Sequence, residues 1–243
     1  MTTPVPPPAP EIILPIDVAH AEEAERLLDQ IGDAVTWVKV GLQLFCREGP
    51  TVVTRIAERG YRVFLDLKLH DIPNTVAKAV ESVADLPVHL LTIHASGGEA
   101  MMTAAREAQA ASRPELQLLA VTVLTSTNAD GLIATGVEAS PENQVVRLAR
   151  LAARAGITGL VCSPLEIRPI AAALSPLPLL VTPGVRPAGS GTQDQKRVLT
   201  PQEAVAAGAR MLVIGRPIRA APDPKAAAES IRRAMAEAVS PEA

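Results

Sequence analysis

The chain has 243 residues, and its 23 Lys and Arg against 26 Asp and Glu give a formal charge of −3. That balance, with only two Phe, one Tyr and one Trp, argues against a nucleic-acid binder, which needs a basic surface and stacking aromatics. No apolar run approaches the roughly 18 residues of a membrane span. The first basic residue is Arg26 and there are two cysteines, so neither a secretory leader nor a disulfide framework is expected, and the location expected is cytoplasmic.

Residues 1–10 carry five prolines and read as an extended, disordered tail, leaving 11–243 as one domain. From Glu11 onward, short aliphatic runs alternate with Ala/Glu/Arg-rich stretches. The pattern predicts strand 11–18, helix 21–31, strand 36–41, helix 50–59, strand 62–69 and helix 73–84. It continues with strand 87–94, helix 98–110, strand 116–124, helix 142–155, strand 159–163 and helix 164–174. Strand 178–183, helix 201–207, strand 211–215 and helix 224–238 complete it. Eight strand–helix units predict a single-domain (β/α)₈ TIM barrel of the α/β class. An open doubly wound sheet would carry a Gly-rich turn after its first strand, where this chain has Asp17-Val18-Ala19-His20.

Alternation within 62–70 puts Val63, Leu65, Leu67 and Leu69 on one face and Phe64, Asp66, Lys68 and His70 on the other. Two readings fit: a half-exposed strand with its charges in water, or charges gathered at the C-terminal mouth of a barrel, where barrel enzymes keep their chemistry. Lys39 interrupts the strand Trp37–Gly41 in the same way, and Asp17 ends the first strand. Three adjacent strands thus contribute Asp17, Lys39, Asp66 and Lys68, with alternating signs that offset each other's desolvation. A lysine among carboxylates is favoured in its charged form, a proton donor. This favours the catalytic mouth.

On the far side, the small-residue-rich stretch 182–197 follows the seventh strand and includes Pro183, Arg186, Gly189, Gly191, Gln195 and Lys196, and Gly215-Arg216 follows the eighth. Loops after strands seven and eight of a barrel often hold phosphate, with glycine allowing close approach and arginine binding the oxygens. A plain surface loop is the alternative for 182–197, and a loop able to close as a lid is a third reading. Thr125 and Ser126 follow the fifth strand and are candidate ligand contacts, or simply the start of a loop. His70 and His94 read as structural, and Cys162 as core. No compact metal-ligand set is evident.

Asp66-Leu67-Lys68-Leu69-His70-Asp71-Ile72-Pro73-Asn74-Thr75 resembles the signature of the orotidine 5′-phosphate decarboxylase family in its short bacterial form. The likeness extends in order through Lys39-Val40-Gly41-Leu42, Leu124-Thr125-Ser126, Val181–Pro187, Asp194-Gln195-Lys196-Arg197 and Gly215-Arg216-Pro217. It covers the chain from about Ile13 to the last helix. The resemblance implies decarboxylation of orotidine 5′-monophosphate with no cofactor and no metal. It implies Lys68 as proton donor to C6, Asp66 near the leaving carboxylate, and Lys39 with Asp17 at the ribose. Thr125 and Ser126 would face the base. Pro183, Arg186, Gln195, Gly215 and Arg216 would hold the phosphate side. Asp71, Ile72 and Thr75 would enter the partner's site in a homodimer. Two alternatives stand beside this: a related magnesium-dependent sugar-phosphate decarboxylase, and a non-catalytic phospholigand sensor that kept the barrel. The His70–Thr75 continuation and the intact charge set favour the pyrimidine enzyme.

Overall fold

A computed structural model describes residues 9–186 and 199–238. Eight parallel strands close a barrel in sequence order: β1 (Glu11–Pro15), β2 (Trp37–Gly41), β3 (Arg62–Leu69), β4 (Leu90–His94), β5 (Gln117–Val121), β6 (Gly159–Val161), β7 (Leu179–Thr182) and β8 (Met211–Val213). Every predicted strand and helix is present. The strands are mostly shorter than their aliphatic runs, because ladder pairing ends where a strand turns outward into its loop. Ile16, for example, lies just past β1 yet still donates its N–H to the Lys39 carbonyl, at 2.9 Å.

Short helices over Leu42–Glu48, Ala129–Ala134 and Arg216–Arg219 are additions that periodicity did not predict. Each has seven residues or fewer, too short to display an amphipathic period. The first of them is cut off from the next helix, Pro50–Glu58, by Gly49 at φ 69°, a left-handed conformation that glycine adopts freely.

Two apolar layers result. Between sheet and helices lie Val63 and Leu65 of β3 with Leu91 and Ile93 of β4, joined by helix residues such as Leu28, Val80 and Met101. Inside the barrel, Ile13, Trp37, Phe64, Leu90, Leu119, Val181 and Met211 form a separate plug. The Arg62 guanidinium caps the Trp37 ring at 4.2 Å. Burial of the plug closes the N-terminal end, so the barrel interior opens only toward the C-terminal ends of the strands.

Pairing between β3 and β4 is irregular: Leu65 sits opposite Leu91 but Leu69 opposite Ile93, four residues against two. Lys68 in this bulge has φ 50°, and among the described residues it alone is a non-glycine with positive φ. A side-chain-bearing residue held there costs on the order of 1–3 kcal/mol, and such strain gathers at functional sites.

Candidate active site

Directly above the plug, β1, β2 and β3 bring four charges into one chain. Lys39 Nζ lies 3.2 Å from Asp17 Oδ1 and 3.5 Å from Asp66 Oδ2, and Lys68 Nζ lies 2.7 Å from Asp66 Oδ1. Side-chain exposure runs 50% at Asp17, 12% at Lys39, 11% at Asp66 and 30% at Lys68. The two innermost groups are therefore an opposite-charge pair, which is what makes their burial tolerable. Burial pushes the Asp66 carboxyl up, but the Lys39 and Lys68 ammonium groups, with hydrogen bonds from Lys68 and Thr92, outweigh it and hold the group below the ordinary carboxylate range. Asp66 is thus an anion with a cation on each side.

Gly41 makes room for this chain. A β-carbon there would stand 2.9 Å from Lys39 Nζ and 3.7 Å from Asp17 Oδ1. Asp17 is held at its backbone, where its carbonyl accepts from the Arg219 guanidinium.

Three of the four charges line a cavity of about 200 Å³, and Asp17 stands outside its lining. Lys39, Asp66 and Lys68 share its lining with Phe64, Val121, Val123, Leu124, Thr125, Val161, Cys162, Pro183 and Val213. A cavity lined by apolar side chains together with a few charges suits a flat, partly polar ring.

The other predicted residues divide clearly. Thr125 and Pro183 line the cavity, whereas Ser126 is exposed and does not. Gly215 and Arg216 follow β8, and the absence of a side chain at Gly215 lets it pack on Pro15, whose Cγ would be 2.8 Å from a β-carbon. Arg186 is buried after β7, its N–H bonded to the Leu199 carbonyl at 3.0 Å. Burial pushes its guanidinium below the usual arginine value, and the positive charge of Arg216 adds to this. Arg186 and Arg216 are thus near enough to feel each other's charge. Gln195, with Gly189, Gly191 and Lys196, lies outside the described residues.

Asp71, Ile72 and Thr75 are exposed and line no part of their own cavity; Asp71 Oδ1 accepts a local hydrogen bond from the Ile72 N–H, at 2.7 Å. His70 and His94 lie with ring centroids 5.4 Å apart and planes tilted by 40°, outside the cavity lining. Both cysteines are free. Among the described residues, no helix is long and apolar enough to cross a membrane, and no group of three or more His, Cys, Asp or Glu is placed to hold a metal ion.

Residue-by-residue reading of the sequence passed over Thr92 and Gly41. Thr92 is the one polar residue inside the apolar part of β4, at the inward parity of Leu90 and His94, and that parity was the available signal.

A closed (β/α)₈ barrel with a lysine–carboxylate chain at its C-terminal mouth is the architecture of a barrel enzyme. The model of the orotidine 5′-phosphate decarboxylase / HUMPS family matches residues 10–231, and the chain belongs to that family. It is 55% identical to an orotidine 5′-phosphate decarboxylase of Opitutus terrae over 91% of this chain and 96% of the relative. It is 50% identical to that of Nitrosococcus oceani over 90% and 95%. The crystal structure of orotidine 5′-phosphate decarboxylase from Lactobacillus acidophilus superposes with a TM-score of 0.83 at 37% identity, covering 94% of this chain and 99% of that one.

Proposed function

We infer that this chain converts orotidine 5′-monophosphate to uridine 5′-monophosphate and carbon dioxide without a cofactor, the last step of UMP synthesis. The unbroken Asp17–Lys39–Asp66–Lys68 chain, three of whose members line the cavity, carries this reading, and the named relatives support it.

Loss of carbon dioxide breaks the bond between C6 and the carboxylate carbon. The electron pair stays on C6 in the plane of the ring, where the π system cannot absorb it. A fixed cation beside C6 is then the effective stabiliser, because it needs no reorganisation as the charge develops. Lys68 fills that role and passes a proton from Nζ to C6, after which solvent restores the lysine. Asp66 orients the Lys68 ammonium and lies beside the departing carboxylate. Lys39 and Asp17 hold the ribose hydroxyls, and Thr125 with Ser126 faces the base. Arg186, Gln195, Gly215 and Arg216 take the phosphate. Binding energy gained at that remote phosphate supports organisation of the reacting ring.

The active unit in this reading is a homodimer. Asp71, Ile72 and Thr75 are exposed and line no part of their own cavity, and Ile72 and Leu42, which follow adjacent strands, are 67% and 51% exposed. A twofold partner would cover these apolar groups and receive Asp71, Ile72 and Thr75 at its own site. Free thiols at Cys46 and Cys162 fit the cytoplasm as the place of action.

The test follows the fall in pyrimidine absorbance when orotidine 5′-monophosphate is added to the parent and to Lys68→Ala. Turnover by the parent and a loss of at least about a hundredfold in a folded Lys68→Ala protein are expected. A parent that leaves the nucleotide unchanged overturns the function; an active Lys68→Ala overturns the role of Lys68.

A further inference from the structure

Thr92 is fully buried, on the inward face of β4. Its hydroxyl lies 2.9 Å from the backbone nitrogen of Lys68 and 3.0 Å from Asp66 Oδ1. The chemistry of the two partners fixes the direction of both hydrogen bonds. A backbone N–H can only donate and a carboxylate can only accept, so the hydroxyl accepts from Lys68 and gives its single proton to Asp66. The same Oδ1 accepts from Lys68 Nζ at 2.7 Å. The hydrogen bonds therefore form a closed ring: Lys68 N–H to Thr92 Oγ1, Thr92 O–H to Asp66 Oδ1, and Lys68 Nζ to that same oxygen. Both ends of Lys68 are held through one threonine.

This ring answers two demands created by the bulge. The register jump between Leu65 and Leu69 takes the Lys68 N–H out of the β3–β4 ladder, and an unpaired buried N–H is costly. The positive φ of Lys68 also needs surroundings that enforce it. The Thr92 hydroxyl supplies the missing acceptor, and its donated proton fixes the carboxylate oxygen on which the Lys68 ammonium rests.

We propose that Thr92 is a positioning residue that sets the place of the Lys68 ammonium, through the bulge backbone at one end and Asp66 at the other. The proposal rests on the reading of Lys68 as the proton donor. Thr92 is fully buried and lines no part of the cavity, so it acts through Lys68 and Asp66 and not by touching substrate. Arg186 and Arg216, which take the phosphate in that reading, are untouched by its removal.

Thr92→Val keeps the shape and removes the hydroxyl, and Thr92→Ser keeps the hydroxyl. Both are assayed with Lys68→Ala alongside, and kcat is normalised to folded protein by circular dichroism. The expected result for Thr92→Val is a fall in kcat of about tenfold to a hundredfold, the range for losing a hydrogen bond to a charged group. KM for orotidine 5′-monophosphate should stay within about threefold, and Thr92→Ser should recover most of the loss. A folded Thr92→Val with kcat within threefold of the parent overturns the proposal. So does a Thr92→Ser as impaired as Thr92→Val, since packing of the methyl group would then be the cause. If Thr92→Val does not fold, Thr92→Ala against Thr92→Ser makes the same comparison. Failure of Thr92→Ala to fold as well assigns the hydroxyl to folding and also overturns it. An active Lys68→Ala removes the underlying site reading, whereas an inactive Lys68→Ala beside a fully active Thr92→Val removes only the role of Thr92.

Discussion

Gly41 and Lys39, two residues apart on β2, share one inward face, and the glycine leaves the space that the lysine ammonium occupies. A β-carbon at Gly41 would approach Lys39 Nζ to 2.9 Å. The glycine backbone is extended, at φ −97° and ψ −179°, so alanine meets no conformational strain there. Gly41→Ala should therefore fold with little change in Tm, while the flexible end of Lys39 is pushed away from Asp17 and Asp66. A drop in kcat/KM of about tenfold is expected, the scale of misplacing one charged hydrogen bond. An unchanged kcat/KM in the folded variant would show that Lys39 can move without consequence.

Asp66 links the site to acid stability. Its folded pKa lies below the ordinary value, so the stability it contributes is complete above the unfolded value of about 3.9. That contribution is lost as pH falls from there through the depressed folded value. Urea midpoints of the parent and Asp66→Asn should differ by a constant amount above about pH 5 and converge toward pH 3. A gap that stays constant into acid would mean that the Asp66 pKa does not fall on folding.

Removal of the Arg216 side chain should act on the phosphate end alone. Arg216→Ala is expected to lower kcat/KM for the nucleotide by about tenfold to a hundredfold, as for other charged hydrogen bonds. Its effect on the phosphate-free nucleoside should be negligible. Equal losses on both substrates would rule out a phosphate contact.

Composite sites make a quantitative prediction for mixed subunits. Lys68→Ala and Asp71→Ala are each expected to be inactive. After exchange at equal concentration, half the dimers are mixed, and each mixed dimer has one site with both lesions and one intact. About a quarter of parental activity should therefore return. Heterodimers that form without recovering activity would place Asp71 in the service of its own subunit.

The site was readable in sequence to the extent that it is local. Two-residue alternation alone placed Asp66 and Lys68 on one face of β3, opposite Val63 and Leu65, and the structure keeps that parity through the bulge. Lys39 was visible as a charge inside an aliphatic strand, and Arg216 as a cation just past another. Ser126 shows the limit: it shares the Leu124-Thr125-Ser126 run, yet it is exposed and Thr125 alone of the two lines the cavity, a difference no local pattern encodes. Thr92 escaped notice because a threonine in a β-strand is unremarkable by propensity.

Sequence by itself determined the alternation of strands and helices, the eightfold repeat that must close, and the face on which each charge lies. All of these depend on periods of two or 3.6 residues and on local turns. Tertiary structure decided the distances. Asp17 and Lys39 are 22 residues apart and Lys68 and Thr92 are 24, and no local pattern encodes how far one strand slides past the next. Barrel closure sets that stagger, and in β3 a two-residue bulge resets it once more. That bulge brings the Lys68 N–H onto the hydroxyl of Thr92 and the Lys68 ammonium onto Asp66.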